Sequence, residues 1–298
     1  YVRGQGGLMG IALHPDFEQN NRIYFTMATA NEDASGGNTG LYTAILTGNA
    51  LSDVKLLYKA MPDTKKGVHF GSRIVFDADG YLYFSVGDRG ERDIIPQDIT
   101  RDNGKIYRLN DDGSIPSDNP FVGVNGAKEA IYSYGHRNPQ GLTIHPKTGA
   151  VWAHEHGPRG GDEINIIEAG KNYGWPLVTL GHPYSDKDGF FLNHKIYYKK
   201  SLSDGKSLAP VFAWSPSVAP SRVIQVEEIF HWRNNLLVAT LKDLSIRRLV
   251  MSDNKVILDE RVYLGFRLRD IIEFRNELFI LDDRGYVHRL KTVDRNVG

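Results

Sequence analysis

The sequence predicts an all-β fold: a six-bladed β-propeller of four-stranded antiparallel blades, with long loops on one face. Three observations carry this. The 298 residues hold 31 glycines and 15 tyrosines between short apolar runs bounded by turn residues, a pattern of strands rather than helices. One pattern of polar lead-in, strand, tight turn, strand and polar exit recurs five times. The copies begin roughly 40 to 85 residues apart, in the upper range of propeller repeats plus insertions. With strands expected upstream of Tyr1, five visible copies suggest six blades.

In order, Gln5-Gly6-Gly7 leads into an apolar run at Leu8, a turn at His14-Pro15-Asp16, and a return through Ile23-Tyr24-Phe25. Gly67-Val68-His69-Phe70-Gly71 leads into Ile74-Val75-Phe76. The turn Asp77-Ala78-Asp79-Gly80 follows, and the return strand exits at Gly87-Asp88. The third copy, Tyr132 to Pro176, is the densest: it opens at Tyr132-Ser133-Tyr134, then Gly135-His136-Arg137-Asn138-Pro139, then strand, turn, strand, then Glu155-His156-Gly157-Pro158. The fourth begins at Trp214-Ser215-Pro216-Ser217 and exits at Leu241-Lys242. The fifth begins at Arg267-Leu268-Arg269-Asp270 and exits at Asp282-Asp283. Each copy is followed by a further strand. Insertions at 111–128 and 179–209 read as long loops. The whole chain, 1–298, is expected to be a single propeller domain whose upstream segment is missing.

Composition narrows the function. Lys+Arg and Asp+Glu both number 36, so no global field favours nucleic acid or an acidic membrane. Cysteine is absent, which removes disulfides and thiolate metal sites. No apolar run reaches the ~20 residues of a transmembrane helix. There is no HExxH, P-loop or nucleotide-binding glycine motif in the required setting.

The hairpin geometry says where chemistry gathers. A lead-in and its exit lie at the same end of an antiparallel pair, so all of them share one mouth of the central channel. Gln5, His69, Asp88, Arg137, Asn138, His156, Gly157, Pro158, Ser217, Lys242, Arg267 and Arg269 should meet there. That set has four cations and one candidate base, and reads as a pocket for a small polyanion beside a reacting group. Plainer roles compete. Asp88 and Asp282 read first as turn caps, His136 as a packed neighbour of Arg137, and 173–176 as ordinary packing. His69 alone would be structural; its place among the cations argues otherwise.

Gly-His-Arg-Asn-Pro-Gln-Gly at 135–141, Glu-His-Gly-Pro at 155–158, Asp-Glu-Ile-Asn at 162–165 and Asn-Tyr-Gly-Trp-Pro at 172–176 resemble the soluble quinoprotein sugar dehydrogenases, which use pyrroloquinoline quinone (PQQ). The resemblance covers nearly the whole chain and also implies a six-bladed propeller, with the long loops on its active-site face. It implies that His69 is the general base, taking the anomeric hydroxyl proton as hydride passes to PQQ. Lys242, Arg267 and Arg269 would hold the PQQ carboxylates and reactive carbonyl. Arg137, acting in catalysis too, and Asn138 would meet the quinone oxygens. His156 and Ser217 would border the cofactor; some members have Gln in place of His156. The carbonyls of Gly157 and Pro158 would bind Ca²⁺, and Gln5 and Asp162 would line the sugar site. Asp93 or Gln97 would replace a sugar-contacting Gln, and Tyr184 and Asp186 are candidates for a second, structural Ca²⁺. The implied partners are an aldose and an electron acceptor (quinone, cytochrome or dye), in a periplasmic or secreted location. Two other readings stay open: a calcium-dependent propeller lactonase, and a binding propeller without catalysis.

Overall fold

The structure, a computed structural model, describes residues 1–92, 95–182, 197–198 and 207–291. Asp93, Tyr184, Asp186 and most of the 179–209 insertion lie outside the described residues.

Each copy of the sequence pattern builds one antiparallel sheet. The first sheet is β1 (Leu8–Leu13), β2 (Arg22–Ala30), β3 (Gly37–Thr47) and β4 (Ala50–Lys59), in that order. The second is β5 (Ile74–Phe76), β6 (Leu82–Val86), β7 (Lys105–Leu109) and β8 (Ile131–Tyr134). The third runs β9 (Pro139–Ile144), β10 (Val151–Glu155), β11 (Asp162–Ile167); after a short parallel pair, β12 (Val178–Thr179) with β13 (Tyr197–Tyr198), it is completed by β14 (Phe212–Trp214). The fourth is β15 (Pro220–Gln225), β16 (Leu236–Thr240), β17 (Ser245–Ser252) and β18 (Lys255–Tyr263). The fifth has three strands, β19 (Leu268–Phe274), β20 (Glu277–Asp282) and β21 (Val287–Lys291).

The expectation of six four-stranded blades is therefore corrected. The described residues form five blades, and the last has three strands. The sixth rested on strands expected outside the given sequence; the five copies within it make five sheets. Two boundaries also move. Residues 132–134 and Trp214, read as openings of new copies, are the outer strands of the preceding sheets. An outer strand has the same alternation as an inner one, so pattern alone does not separate them.

Four apolar clusters fill the spaces between successive sheets. Tyr24, Leu41, Phe84, Tyr107 and Ile131 join the first to the second. Tyr83, Ile106, Leu142 and Val151 join the second to the third. Trp152, Ile164, Val223 and Val238 continue to the fourth, and Ile224, Leu237, Leu268 and Ile280 to the fifth. No such cluster among the described residues links the fifth sheet to the first. There Leu8, Ile11 and Leu13 on β1, and Ile272 and Phe274 on β19, are exposed.

Hydroxyls stitch the sheets at the channel. Thr26 Oγ1 donates to the Ser72 carbonyl at 2.7 Å, Ser85 Oγ to the Pro139 carbonyl at 2.7 Å, and Ser221 Oγ to the Leu268 carbonyl at 2.5 Å. In each case the acceptor stands where the next sheet begins. Between the third and fourth sheets the imidazole of His156 does the same, Nε2 to the Pro220 carbonyl at 2.5 Å.

Phe84 tests the packing. It is fully buried and stacks on Tyr107, with ring centroids 4.6 Å apart. Phe84→Ala should cost about 3–5 kcal/mol of unfolding free energy, the usual range for a truncated core aromatic. Urea denaturation should show a lower midpoint, with an unchanged slope if the unfolded state is unaltered.

Candidate active site

Register brings the lead-ins and exits together. Glu155 stands opposite Pro139, Thr240 opposite Pro220, and Asp282 opposite Leu268. First strands β1, β9, β15 and β19 each carry an irregularity near the channel end. Such a bulge leaves a residue out of the ladder and re-aims its side chain. Met9 and Gly10, Gln140, Ser221 and Arg269 are those residues, and all five line one cavity of about 650 Å³.

A second cavity, of about 490 Å³, is lined by His69, Arg137, Asn138, Gly157, Pro158, Asp162, Ser217 and Lys242. Gln5 and His156 border both cavities. Arg267 lies with Arg269 on the larger one. Eleven of the twelve residues expected at the mouth thus line two adjoining cavities, with Asp162 beside them, and the twelfth, Asp88, is tied to His69 just behind.

His69 sits in a loop held from several sides. Its backbone N–H donates to Gln5 Oε1 at 2.8 Å. Its φ is +52°, a left-handed conformation that a non-glycine residue adopts only when its surroundings fix it. The exit of β6 does much of this. A Cβ on Gly87 would lie 2.2 Å from the His69 carbonyl, so only glycine permits this approach. Arg89, fully buried, donates to the carbonyls of Lys66 at 2.6 Å and of Val68, and lies over the Phe70 ring. Burial pulls its guanidinium down to about 10.

Between them stands Asp88, 1% exposed. Its Oδ1 meets His69 Nδ1 at 2.7 Å and accepts the Gly90 N–H at 2.7 Å. Its Oδ2 accepts the Trp175 indole N–H at 2.8 Å. Burial pushes this carboxyl up, but His69, Arg137 and the Gly90 N–H outweigh it and hold Asp88 below the usual carboxylate range. With Nδ1 facing Asp88, Nε2 is the imidazole nitrogen left for a reacting group.

A family model described as Glucose / Sorbosone dehydrogenase matches residues 1–289. The chain belongs to that family. It is 38% identical over 302 residues to aldose sugar dehydrogenase YliI of Escherichia coli K12, covering 99% of this chain and 79% of that one. Quinoprotein glucose dehydrogenase B of Acinetobacter calcoaceticus is 36% identical over 227 residues, covering 67% and 46% of the two chains. The apo form of the soluble aldose sugar dehydrogenase from Escherichia coli superposes with a TM-score of 0.86 at 36% identity, over 95% of this chain and 81% of that one. The PQQ-bound form of an aldose sugar dehydrogenase from Streptomyces coelicolor does so with a TM-score of 0.75 at 26% identity, over 96% and 78%.

In this family member the remaining residues divide by what they already bind. Asn138 is 1% exposed; its Oδ1 accepts the Gly71 N–H at 3.2 Å, and its buried Nδ2 has no partner. Arg137 donates through Nη1 to the carbonyls of His156 and Gly157, both at 2.9 Å. Asp162 is a knot: it accepts the Gly157 N–H at 3.0 Å, the Ser217 hydroxyl at 3.0 Å and the Ala219 N–H at 2.7 Å. Its carboxylate borders the cavity with both oxygens engaged. Burial lowers the proton affinity of His156, so a neutral ring serves its bond to Pro220. Arg267 and Arg269 are exposed and both pair with Asp283, whose carboxyl they hold low against the effect of burial.

Sequence reasoning gave three contributors other roles: Asp88, placed at the mouth but read first as a cap; Trp175, read as packing; and Gln97, named as a replacement for a sugar-contacting Gln, whose amide turns instead to Asn172 and the Trp175 carbonyl. Asp282 is the cap that it resembles, accepting the N–H groups of Arg284 and Tyr286.

Asp88 makes acid stability a test. Its folded pKa lies below its unfolded one, so its contribution is in full force above the unfolded value of 3.8 and is lost as pH falls through the folded value. Asp88→Asn removes that linkage. The variant should melt at lower temperature near pH 7, and its Tm should fall less steeply than the wild type's below about pH 4. Scanning calorimetry between pH 3 and 7 checks both.

Proposed function

We propose that the chain oxidises an aldose at the anomeric carbon to the lactone, with PQQ as acceptor and Ca²⁺ as its companion ion. The observation that carries this is His69, fixed by a buried carboxylate and facing a cavity of about 490 Å³ shared with Arg137, Asn138 and Lys242. The residues suit the cofactor. PQQ carries three carboxylates, and four cations (Arg137, Lys242, Arg267, Arg269) border the two cavities. The unpartnered Nδ2 of Asn138 is a buried donor that a quinone oxygen would satisfy.

Calcium is a narrower fit. Among the described residues no group of three or more His, Cys, Asp or Glu could hold a metal. The protein donors would be the carbonyl oxygens of Gly157 and Pro158, with the rest from the cofactor, and a hard cation accepts oxygen donors of this kind. The Gly157 carbonyl already accepts from Arg137, which leaves its second lone pair.

When bound, PQQ supplies the two-electron acceptor for the C1 hydride. His69 Nε2 takes the proton of the C1 hydroxyl, and Asp88 on Nδ1 stabilises the imidazolium that results. Arg137 sets positive charge beside the oxygen that gains it. Gln5 lines the sugar side through its bond to the His69 backbone. Electrons then leave to a quinone, cytochrome or dye. We place the enzyme in the periplasm or outside the cell, as its resemblance to quinoprotein sugar dehydrogenases suggests.

Purified protein mixed with PQQ and Ca²⁺ should reduce an artificial dye on addition of glucose or another aldose. His69→Ala should lower kcat by about 10²–10⁴, the usual worth of a general base. Lys242→Ala should weaken PQQ binding about 10- to 100-fold with little effect on kcat at saturation, as expected for one charged hydrogen bond. PQQ binding without turnover of any aldose would overturn the proposal. Lactone hydrolysis with Ca²⁺ alone would point to a hydrolase instead.

A further inference from the structure

We propose that Trp175 is a positioning residue for the His69 base, acting through the second oxygen of Asp88. The proposal rests on the dehydrogenase reading above.

Asp88 is bonded on both sides. Oδ1 serves His69 at 2.7 Å, and Oδ2 is taken by the Trp175 N–H at 2.8 Å. A carboxylate tethered through one oxygen can turn about its Cβ–Cγ bond. Held at both oxygens, it has a fixed plane, and that plane sets the direction in which the imidazole ring points. Both groups are buried, Asp88 to 1% exposure and Trp175 to 6%. Water is therefore poorly placed to replace the indole, and a lost bond would leave Oδ2 as a buried acceptor without a partner. The other charged groups facing Asp88 are His69 itself and Arg137. Arg137 also lies over the indole, with its guanidinium carbon 5.4 Å from the ring centre. The indole thus stands between the residues assigned to the base and to the charge beside the reacting oxygen.

Trp175 is itself anchored from sheet two. Its backbone N–H donates to the Gly135 carbonyl at 2.9 Å, and its carbonyl accepts from Gln97 Nε2 at 2.7 Å. Gln97 and Asn172 exchange two side-chain bonds, of 2.7 and 3.0 Å. Gln97 ends a 3₁₀ turn, Ile95–Gln97, pinned by the fully buried ammonium of Lys105. Lys105 Nζ donates to the carbonyls of Ile95 at 3.0 Å, Pro96 at 3.1 Å and Asn103 at 2.7 Å. An unbroken chain of contacts runs from this lysine through Gln97 and Trp175 to the carboxylate beneath the base. A residue that merely filled space would not need a donor directed at that one oxygen.

The test is Trp175→Phe, which keeps most of the ring and removes the N–H, assayed on the PQQ- and Ca²⁺-loaded enzyme. It should lower kcat about 10-fold, the rate equivalent of one ordinary hydrogen bond, with KM changed less than about two-fold. PQQ affinity should be unchanged. The acid limb of the kcat/KM profile should move to higher pH, because Asp88 loses a donor that favours its ionised form. In the background of Asp88→Asn the substitution should have little further effect, since an amide has one acceptor oxygen and cannot take His69 and the indole as donors together. If Trp175→Phe fails to fold, Gln97→Leu, which loosens the indole's anchor, should show the same dependence on Asp88 with a smaller loss. A wild-type kcat and pH profile in Trp175→Phe would overturn the proposal. So would a loss that adds in full to that of Asp88→Asn, or one that tracks PQQ affinity. The reading of His69 fails separately, if His69→Ala retains wild-type turnover.

Discussion

One guanidinium holds the channel together. Arg73 lies just before β5 of the second sheet and reaches three others: Nε donates to the Gln140 carbonyl at 3.2 Å, Nη2 to the Ser221 carbonyl at 3.0 Å, and Nη1 pairs with Asp270 at 3.0 Å. Gln140 and Ser221 are the residues that the bulges in β9 and β15 leave out of their ladders. Here bulge and arginine are two halves of one device. The bulge frees a carbonyl at the channel, a buried carbonyl needs a donor, and a planar group with five N–H donors satisfies several at once. A lysine in that place would offer one point of charge and no fork.

The polar mouth follows from this arrangement. Apolar clusters fix how far apart neighbouring sheets stand, but they are non-directional and do not set the height of one sheet against the next. The bonds from Thr26, Ser85, His156 and Ser221 to the next sheet's opening residues do set it. Once those heights are fixed, exits such as Asp88, Gly157 and Lys242 come level with the neighbouring lead-ins. His69 comes from the second sheet, its amide partner Gln5 from the first, and the indole behind it from the loop after β11. No sheet holds a usable fraction of the site.

Much of this was legible in the sequence, and the rest was hidden for definite reasons. Period-two runs with turn residues between them marked the hairpins, so the shared mouth and its residues could be read from antiparallel geometry. The blade count was misread, because a sixth blade was added to the five copies, and those five copies make five sheets. Outer strands such as Ile131–Tyr134 were mistaken for new copies because alternation says nothing about order within a sheet. The bulges that aim Gln140, Ser221 and Arg269 leave no mark in composition. Asp88 and Asp282 both stand at the exit of a hairpin's second strand, just before an Arg-Gly pair or one residue further from it. Each has a histidine against it, His69 and His288, but only Asp88 also receives an indole, from a segment 87 residues away, so cap and positioning group cannot be told apart locally.

The cations of the mouth are not equivalent, and the difference follows from their surroundings. Arg137 is 9% exposed and packed among backbone carbonyls, so its charge acts through a medium of low polarity and is felt strongly by whatever enters the smaller cavity. Arg267 and Arg269 stand half exposed beside the larger cavity, on the fifth sheet, and already share Asp283. Their charge is screened by solvent and partly neutralised, so an anion arriving there must compete with a carboxylate that is already in place. That ordering separates duties within one basic pocket. The buried arginine suits stabilisation of charge that appears only during reaction, which calls for fixed dipoles and little solvent. The exposed pair suits capture of a ligand that carries its charge throughout, where exchange of one carboxylate partner for another costs little.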